Sequence, residues 1–211
     1  MRTWTRSRRP ALWGVLALVW LSFTGWYTSC GGPLSVDEID HYVGIMEGRG
    51  QPAERIAMIR GFLENDTGDD FVMVNAIELN AEPGDVPGMP PGASASEILD
   101  GYMAYMWPAL LSRASHPIVF GAAAGPSMEQ FGIEGAEQWS QAGLMRYRSR
   151  RDLMEIAMND AFAGAHLYKV AAMSKTFAFP IDPWVQLGDP RLFFFLVLAI
   201  LGLLLERVGL V

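Results

Sequence analysis

The sequence predicts an α+β protein. Its centre is a four-stranded antiparallel sheet in β-α-β-β-α-β order, preceded by a helical hairpin and bounded at each end by a hydrophobic segment. Three observations carry this. Short runs rich in β-branched and apolar residues alternate with helical patterns along the middle of the chain. A long charge-free run lies near each terminus. The stretch LMRYRSRRDLMEIAMNDAF (144–162) passes from strand-like to helix-like spacing across a Ser-Arg-Arg-Asp start signal.

The N-terminal segment, 1–10, contains Arg2, Arg6, Arg8 and Arg9 and no acidic residue. The run 11–29 has no charged residue and is long enough to cross a ~30 Å hydrocarbon core as a helix. It reads as a transmembrane anchor or as a cleaved signal, because a basic start, an apolar stretch and small residues near Ser29 suit both. Cys30 follows Thr28-Ser29, which invites comparison with a lipoprotein box, although Tyr27 stands where a Leu-like residue is usual.

Ser35 with Glu38 forms a reciprocal capping pattern ahead of Val36, Ile39, Val43 and Met46. Pro52 opens a second helix through Ile56, Ile59 and Leu63. Together these make a helical hairpin, 31–68. The main unit, 70–182, follows. FVMVNAIEL (71–79) reads as the first strand, and the loop 80–92 carries four prolines and three glycines. A helix is expected over 93–114, with Ile98, Tyr102, Tyr105 and Leu110 inward and a bend at Pro108. Strands are expected at 116–124 and 139–148, then a helix from Arg150 towards Met173 broken near Gly164, then a short strand over 176–179. The last segment, 191–210, holds the uncharged run 192–205 between Arg191 and Glu206-Arg207, and reads as a second transmembrane helix with snorkelling arginines or as a buried apolar helix.

This order is that of a ferredoxin-like sheet with both helices on one face and the other face open. Val72, Val74 and Ala76 alternate with Met73, Asn75 and Ile77, so both faces are largely apolar. The open face therefore calls for a cover: a homodimer partner, or the hairpin folded over it as a lid.

Charge narrows the partners. The formal net charge is −7, and residues 31–189 hold 10 Lys and Arg against 22 Asp and Glu, a local balance of −12. Such a body lacks the basic face that phosphates require, so no nucleic acid is expected. The basic first segment favours a cytoplasmic N-terminus, and two spans would return the C-terminus there. The expected location is a bacterial-type inner membrane with lipid as a partner and the main domain on the non-cytoplasmic side. Three scattered histidines and a single cysteine give no zinc spacing, and neither a phosphate-binding glycine loop nor a GxSxG elbow occurs. No metal and no cofactor is expected.

Arg146, Arg148, Arg150 and Arg151 fall within six residues. Arg150 and Arg151 lie in a first helical turn, where the dipole disfavours cations, so they need acidic neighbours; Glu155 is a candidate for Arg151. Arg146 and Arg148 share a strand face with Leu144 and are candidate ligand-binding residues, or would meet Asp37, Glu38 or Asp40 if the hairpin were a lid.

The segment Trp139–Pro180 resembles the DUF1330-like branch of the dimeric α/β-barrel superfamily. The resemblance rests on RYRSRRDLMEI, on an acidic residue followed by Ala-Phe, on a histidine, and on a final KTFAFP strand. It implies a sheet-to-sheet homodimer. Superfamily relatives include cofactor-free monooxygenases, heme-degrading enzymes and proteins without demonstrated activity. The heme-degrading members use an Asn on the first strand, a Trp on the third and a His on the following helix; Asn75, Trp139 and His166 occupy those elements here. The leading expectation is a membrane-anchored domain that binds a small ligand or a partner. One alternative is a monooxygenase-like enzyme with Asn75, Arg146, Tyr147 and His166 near a pocket. The other is a structural subunit of a membrane complex.

Overall fold

A computed structural model describes residues 8–208. The arginines at positions 2 and 6, and Val211 at the far end, lie outside the described residues. The chain divides into two compact units, Gly31–Pro183 and the paired ends Met1–Cys30 with Trp184–Val211.

In the central unit the strands β1 (Phe71–Leu79), β2 (His116–Ala122), β3 (Gln141–Tyr147) and β4 (Met173–Ile181) form one sheet in the order β2-β3-β1-β4, with every pairing antiparallel. This is the ferredoxin-like arrangement. Helices are numbered in chain order, beginning with α1 (Arg8–Tyr27) and the hairpin α2 (Val36–Gly48) and α3 (Ala53–Glu64). Then come α4 (Ala95–Leu111), α5 (Arg150–Ala157), α6 (Asp160–Ala172) and finally α7 (Pro190–Arg207).

Phe71, Met73, Met145 and Tyr147 face the helices, packing with Tyr102, Met106 and Leu110 of α4, Ile156 of α5 and Ala165 of α6. The rings of Phe71 and Tyr147, which are ladder partners, stack at 5.4 Å. On the opposite face Val74 and Ala76 lie beside Leu144, Phe177 and Phe179. Phe177, Phe179, Ile181 and Val119 are exposed there.

The hairpin is not a lid on that face. Leu34, Ile39, Val43, Met46 and Leu63 bury themselves against Met154 of α5. Arg49 anchors the far end by donating to the carbonyls of Ala157 and Met158 and to Asp160. Apolar α2 residues have a helix stripe available to them on α5; Glu38 pairs with Arg151 and Asp40 with Arg60, while Arg146 pairs with Asp70 and Arg148 with Asp152.

Several boundaries differ from expectation. The long C-terminal helix breaks at Met158-Asn159 and not at Gly164, because the Asn159 side chain accepts from Ala161 N and caps α6. Helix α4 begins after Ser94, which forms a full capping box with Glu97. Strand β4 is longer than expected, since Met173 to Ile181 all lie along β1. Strand β3 ends at Tyr147, so Arg148 leaves the ladder.

Ser149 caps α5 as expected, its Oγ accepting from Asp152 N at 3.0 Å and donating to Asp152 Oδ2 at 2.8 Å. Ser149→Ala is expected to cost about 1 kcal/mol. Thermal unfolding of residues 31–183 measures this, and an unchanged midpoint would show that the cap contributes nothing.

In the terminal unit α1 and α7 pack antiparallel. Trp13 Nε1 donates to Glu206 Oε1 at 3.0 Å, while Trp20 Nε1 donates to the Arg191 carbonyl at 3.0 Å. Gly202 permits the close approach, since a Cβ there would lie 2.7 Å from the Trp13 ring. By length and composition, Arg9–Tyr27 is long and apolar enough to cross a membrane. Helix α7 has 18 residues, but Arg191, Glu206 and Arg207 occupy its ends.

Candidate functional site

Between α4 and the helix-covered face of the sheet lies a cavity of about 500 Å³. This is within the range of small-molecule sites. Residues from all four strands and from α4 and α6 line it. Its walls are mostly apolar, with Met103, Met106, Leu110, Phe120 and Met145 prominent. Asn75, Asp100, Gln141, Tyr147 and Lys169 supply polar groups.

One wall has a local cause. Gly143 on β3 has no side chain, and a Cβ there would lie 2.6 Å from the Phe120 ring. Phe120 of β2 therefore lies against bare backbone and forms one wall. Asn75, the ladder partner of Gly143, donates its Nδ2 to the Met73 carbonyl at 3.0 Å and to the Gly143 carbonyl at 3.5 Å. Those bonds commit its donor side and hold the amide in place. Tyr147 is buried, which pushes its phenol up to about 12, so it is a neutral group at physiological pH.

Of the residues singled out from sequence, Asn75 and Tyr147 line this cavity; Arg146, Arg148, Trp139 and His166 do not. Trp139 receives the Lys175 ammonium 4.7 Å above its ring. His166 lies tilted against Phe162 with ring centroids 5.4 Å apart, and burial, then Lys169 and Arg55, lower its pKa. The Asn, Trp and His of the heme-degrading pattern are therefore not gathered around the cavity. Among the described residues, no group of three or more His, Cys, Asp or Glu is placed to hold a metal ion.

The four arginines all have partners within the protein. Arg146 is 1% exposed; its Nε donates to Asp70 at 2.6 Å and its Nη1 to the Ala114 carbonyl at 2.7 Å. Arg148 makes a bidentate pair with Asp152, at 2.8 and 2.7 Å. Arg150 is buried beside Asp66, donates to the Phe62 carbonyl, and stacks 4.4 Å above the Phe62 ring. Arg151 pairs with Glu38 at 2.6 Å, not with Glu155, which is engaged by Arg113. The Arg151 hydrogen bond, with help from Ser35, holds the Glu38 carboxyl down at about 2. Helix α2 brings Glu38 to the first turn of α5, where a carboxylate offsets two cations against the helix dipole.

Sequence reasoning missed Lys169 and Gln141. Lys169 lies on α6 among apolar residues, with its Nζ 5.9 Å from the Tyr102 ring. Burial, followed by the charge of Arg55, lowers its pKa. A lone lysine within AGAHLYKVAAM was the available signal.

The topology and the covered sheet face define an α+β protein with a ferredoxin-like sheet. Solved structures share the architecture. A protein of unknown function from Rhodopseudomonas palustris matches at 17% identity with a TM-score of 0.51, covering 64% of this chain and 95% of that one. Its methylated form matches at the same identity and TM-score, with 65% and 95% covered. A dimeric protein of unknown function with a ferredoxin-like fold from Bacteroides fragilis is 9% identical with a TM-score of 0.32, covering 54% and 96%. The first two likenesses are of fold alone. No family model and no curated protein matches the chain.

Proposed function

We propose that this chain is a membrane-anchored, small-molecule-binding protein of the DUF1330-like, dimeric α/β-barrel kind. Its body stands on the non-cytoplasmic side of a bacterial-type inner membrane and pairs with a second copy through the open sheet face. The observation that carries the binding role is the cavity of about 500 Å³ under α4, apolar along its walls with a few polar groups. Purification of the full chain in mild detergent, followed by native mass spectrometry, is expected to release a bound small molecule. Protein recovered with no adduct, and binding none when a metabolite extract is added, would overturn this role.

Anchoring is supported by the terminal unit. Val15, Leu18, Leu21, Phe193, Val197 and Ile200 are exposed on paired helices. Charged residues gather at the two ends of the pair: Arg9 with Glu206 at one, and Arg191 with Asp189 and Thr28 at the other. An apolar band between polar ends suits a bilayer, where lipid covers side chains that water would not. Reporter fusions after Val211 are expected to be active only in the cytoplasm. Activity restricted to the other side would exclude a two-span topology.

A further inference from the structure

The cavity has a polarity that its apolar walls do not suggest. Gln141 begins β3 opposite Ile77 of β1, and its Nε2 is buried without a hydrogen-bond partner. Lys169 lies four residues before Met173, which opens β4 opposite Leu79, so Gln141 and Lys169 belong to the same end of the sheet. Both line the cavity. Lys169 has no ion-pair partner among the described residues; its one ring contact is to Tyr102. Asp100 also lines the cavity but lies exposed on α4.

One amide N–H of Gln141 is thus buried without an acceptor, and the half-buried Lys169 brings an ammonium with no ion-pair partner among the described residues to the same end of the chamber. A buried donor left unmade is costly, so a ligand that supplies acceptors there gains where a neutral hydrocarbon does not. An ion that brings its own negative charge gains most, because charge-assisted hydrogen bonds are about twice as strong as neutral ones. The remaining length of the chamber, along Met103, Met106 and Leu110, offers only dispersion and burial.

We infer that the ligand is a small amphipathic carboxylic acid. Its carboxylate accepts from Lys169 Nζ and Gln141 Nε2, and its hydrocarbon or aromatic body lies along Met103, Met106, Leu110 and Phe120. This rests on the reading of the cavity as a binding site and adds the charge and orientation of what binds.

Calorimetric titration of the full chain in detergent micelles, with phenylbutyrate and its neutral isostere phenylbutyramide as probes and empty micelles as blank, tests the inference. Phenylbutyrate is expected to bind roughly tenfold or more tightly than the amide. Lys169→Met is expected to weaken phenylbutyrate far more than the amide and so to remove the preference, and Lys169→Arg to retain it. A thermal unfolding midpoint like that of the wild type reports that the Met variant is folded. Raising the pH is expected to erode the preference before ordinary lysines titrate, because burial and then the charge of Arg55 on α3 make the Lys169 ammonium the more readily lost; His166 on the same helix and Asp100 of α4 are further titratable groups around it. Equal binding of acid and amide, with no effect of Lys169→Met, overturns the carboxylate assignment but leaves the cavity as a site for neutral ligands. Binding of neither probe, together with protein that carries no adduct by mass spectrometry, overturns both.

Discussion

Arg146→Ala is expected to destabilise the central unit by about 3 kcal/mol or more, the largest loss from any single truncation in the arginine stretch. Three effects add. Asp70 loses the Nε donor at 2.6 Å, the Ala114 carbonyl loses the Nη1 donor at 2.7 Å, and a side chain that is 1% exposed leaves a void. The Asp70 side chain is 24% exposed and regains some hydration, which places the figure at the lower end of losses from broken buried pairs. Arg146→Lys is expected to recover only part, since an ammonium cannot present the guanidinium fork to a carboxylate and a carbonyl together. Urea unfolding of residues 31–183 measures both variants. A loss below about 1 kcal/mol for Arg146→Ala would mean that the pair contributes no more than a surface salt bridge.

Phe179→Glu is expected to convert a dimer of residues 31–183 into a monomer at micromolar concentration. Phe177 and Phe179 are 51% and 41% exposed, their rings lie 5.4 Å apart, and they stand beside Val74, Ala76 and Leu144 on one sheet face. A soluble monomer seldom leaves so continuous an apolar surface in water. A second copy would cover it without any new element, and two-fold symmetry would bring like residues close together, so one introduced carboxylate would act twice. Sedimentation of the wild-type body decides the matter. A monomer over the whole concentration range would rule out this interface and assign the face to another partner.

Much of the local structure was legible in the sequence, because its causes are local. Ser35 with Glu38 and Ser149 with Asp152 are caps whose partners lie three residues away, and both are formed. The β-branched and apolar composition of 71–79 marked the first strand, which spans Phe71–Leu79. What escaped reading depends on groups distant in the chain. Arg151 finds Glu38 across 113 positions instead of Glu155 on its own helix, because packing of the hairpin on α5 places that carboxylate there. The cavity wall made by Phe120 likewise depends on that ring lying over Gly143, a relation that no spacing within either strand announces. The break before Asn159 was available, since an Asn-Asp pair is a helix start signal, but the apolar run on either side suggested continuity.

The pairing of α1 with α7 has a bearing on how the body folds. The central unit leaves one helix at Gly31 and enters the other at Pro183. While those helices remain paired, the unfolded body is a closed loop and not a chain with two free ends. Closing a loop removes conformations from the unfolded ensemble, and the amount removed grows with the logarithm of loop length. The terminal hairpin would therefore act on the body as a non-covalent clasp, raising its stability without touching its core. Excision of either helix would remove that entropic contribution from the body even if every contact inside 31–183 were kept.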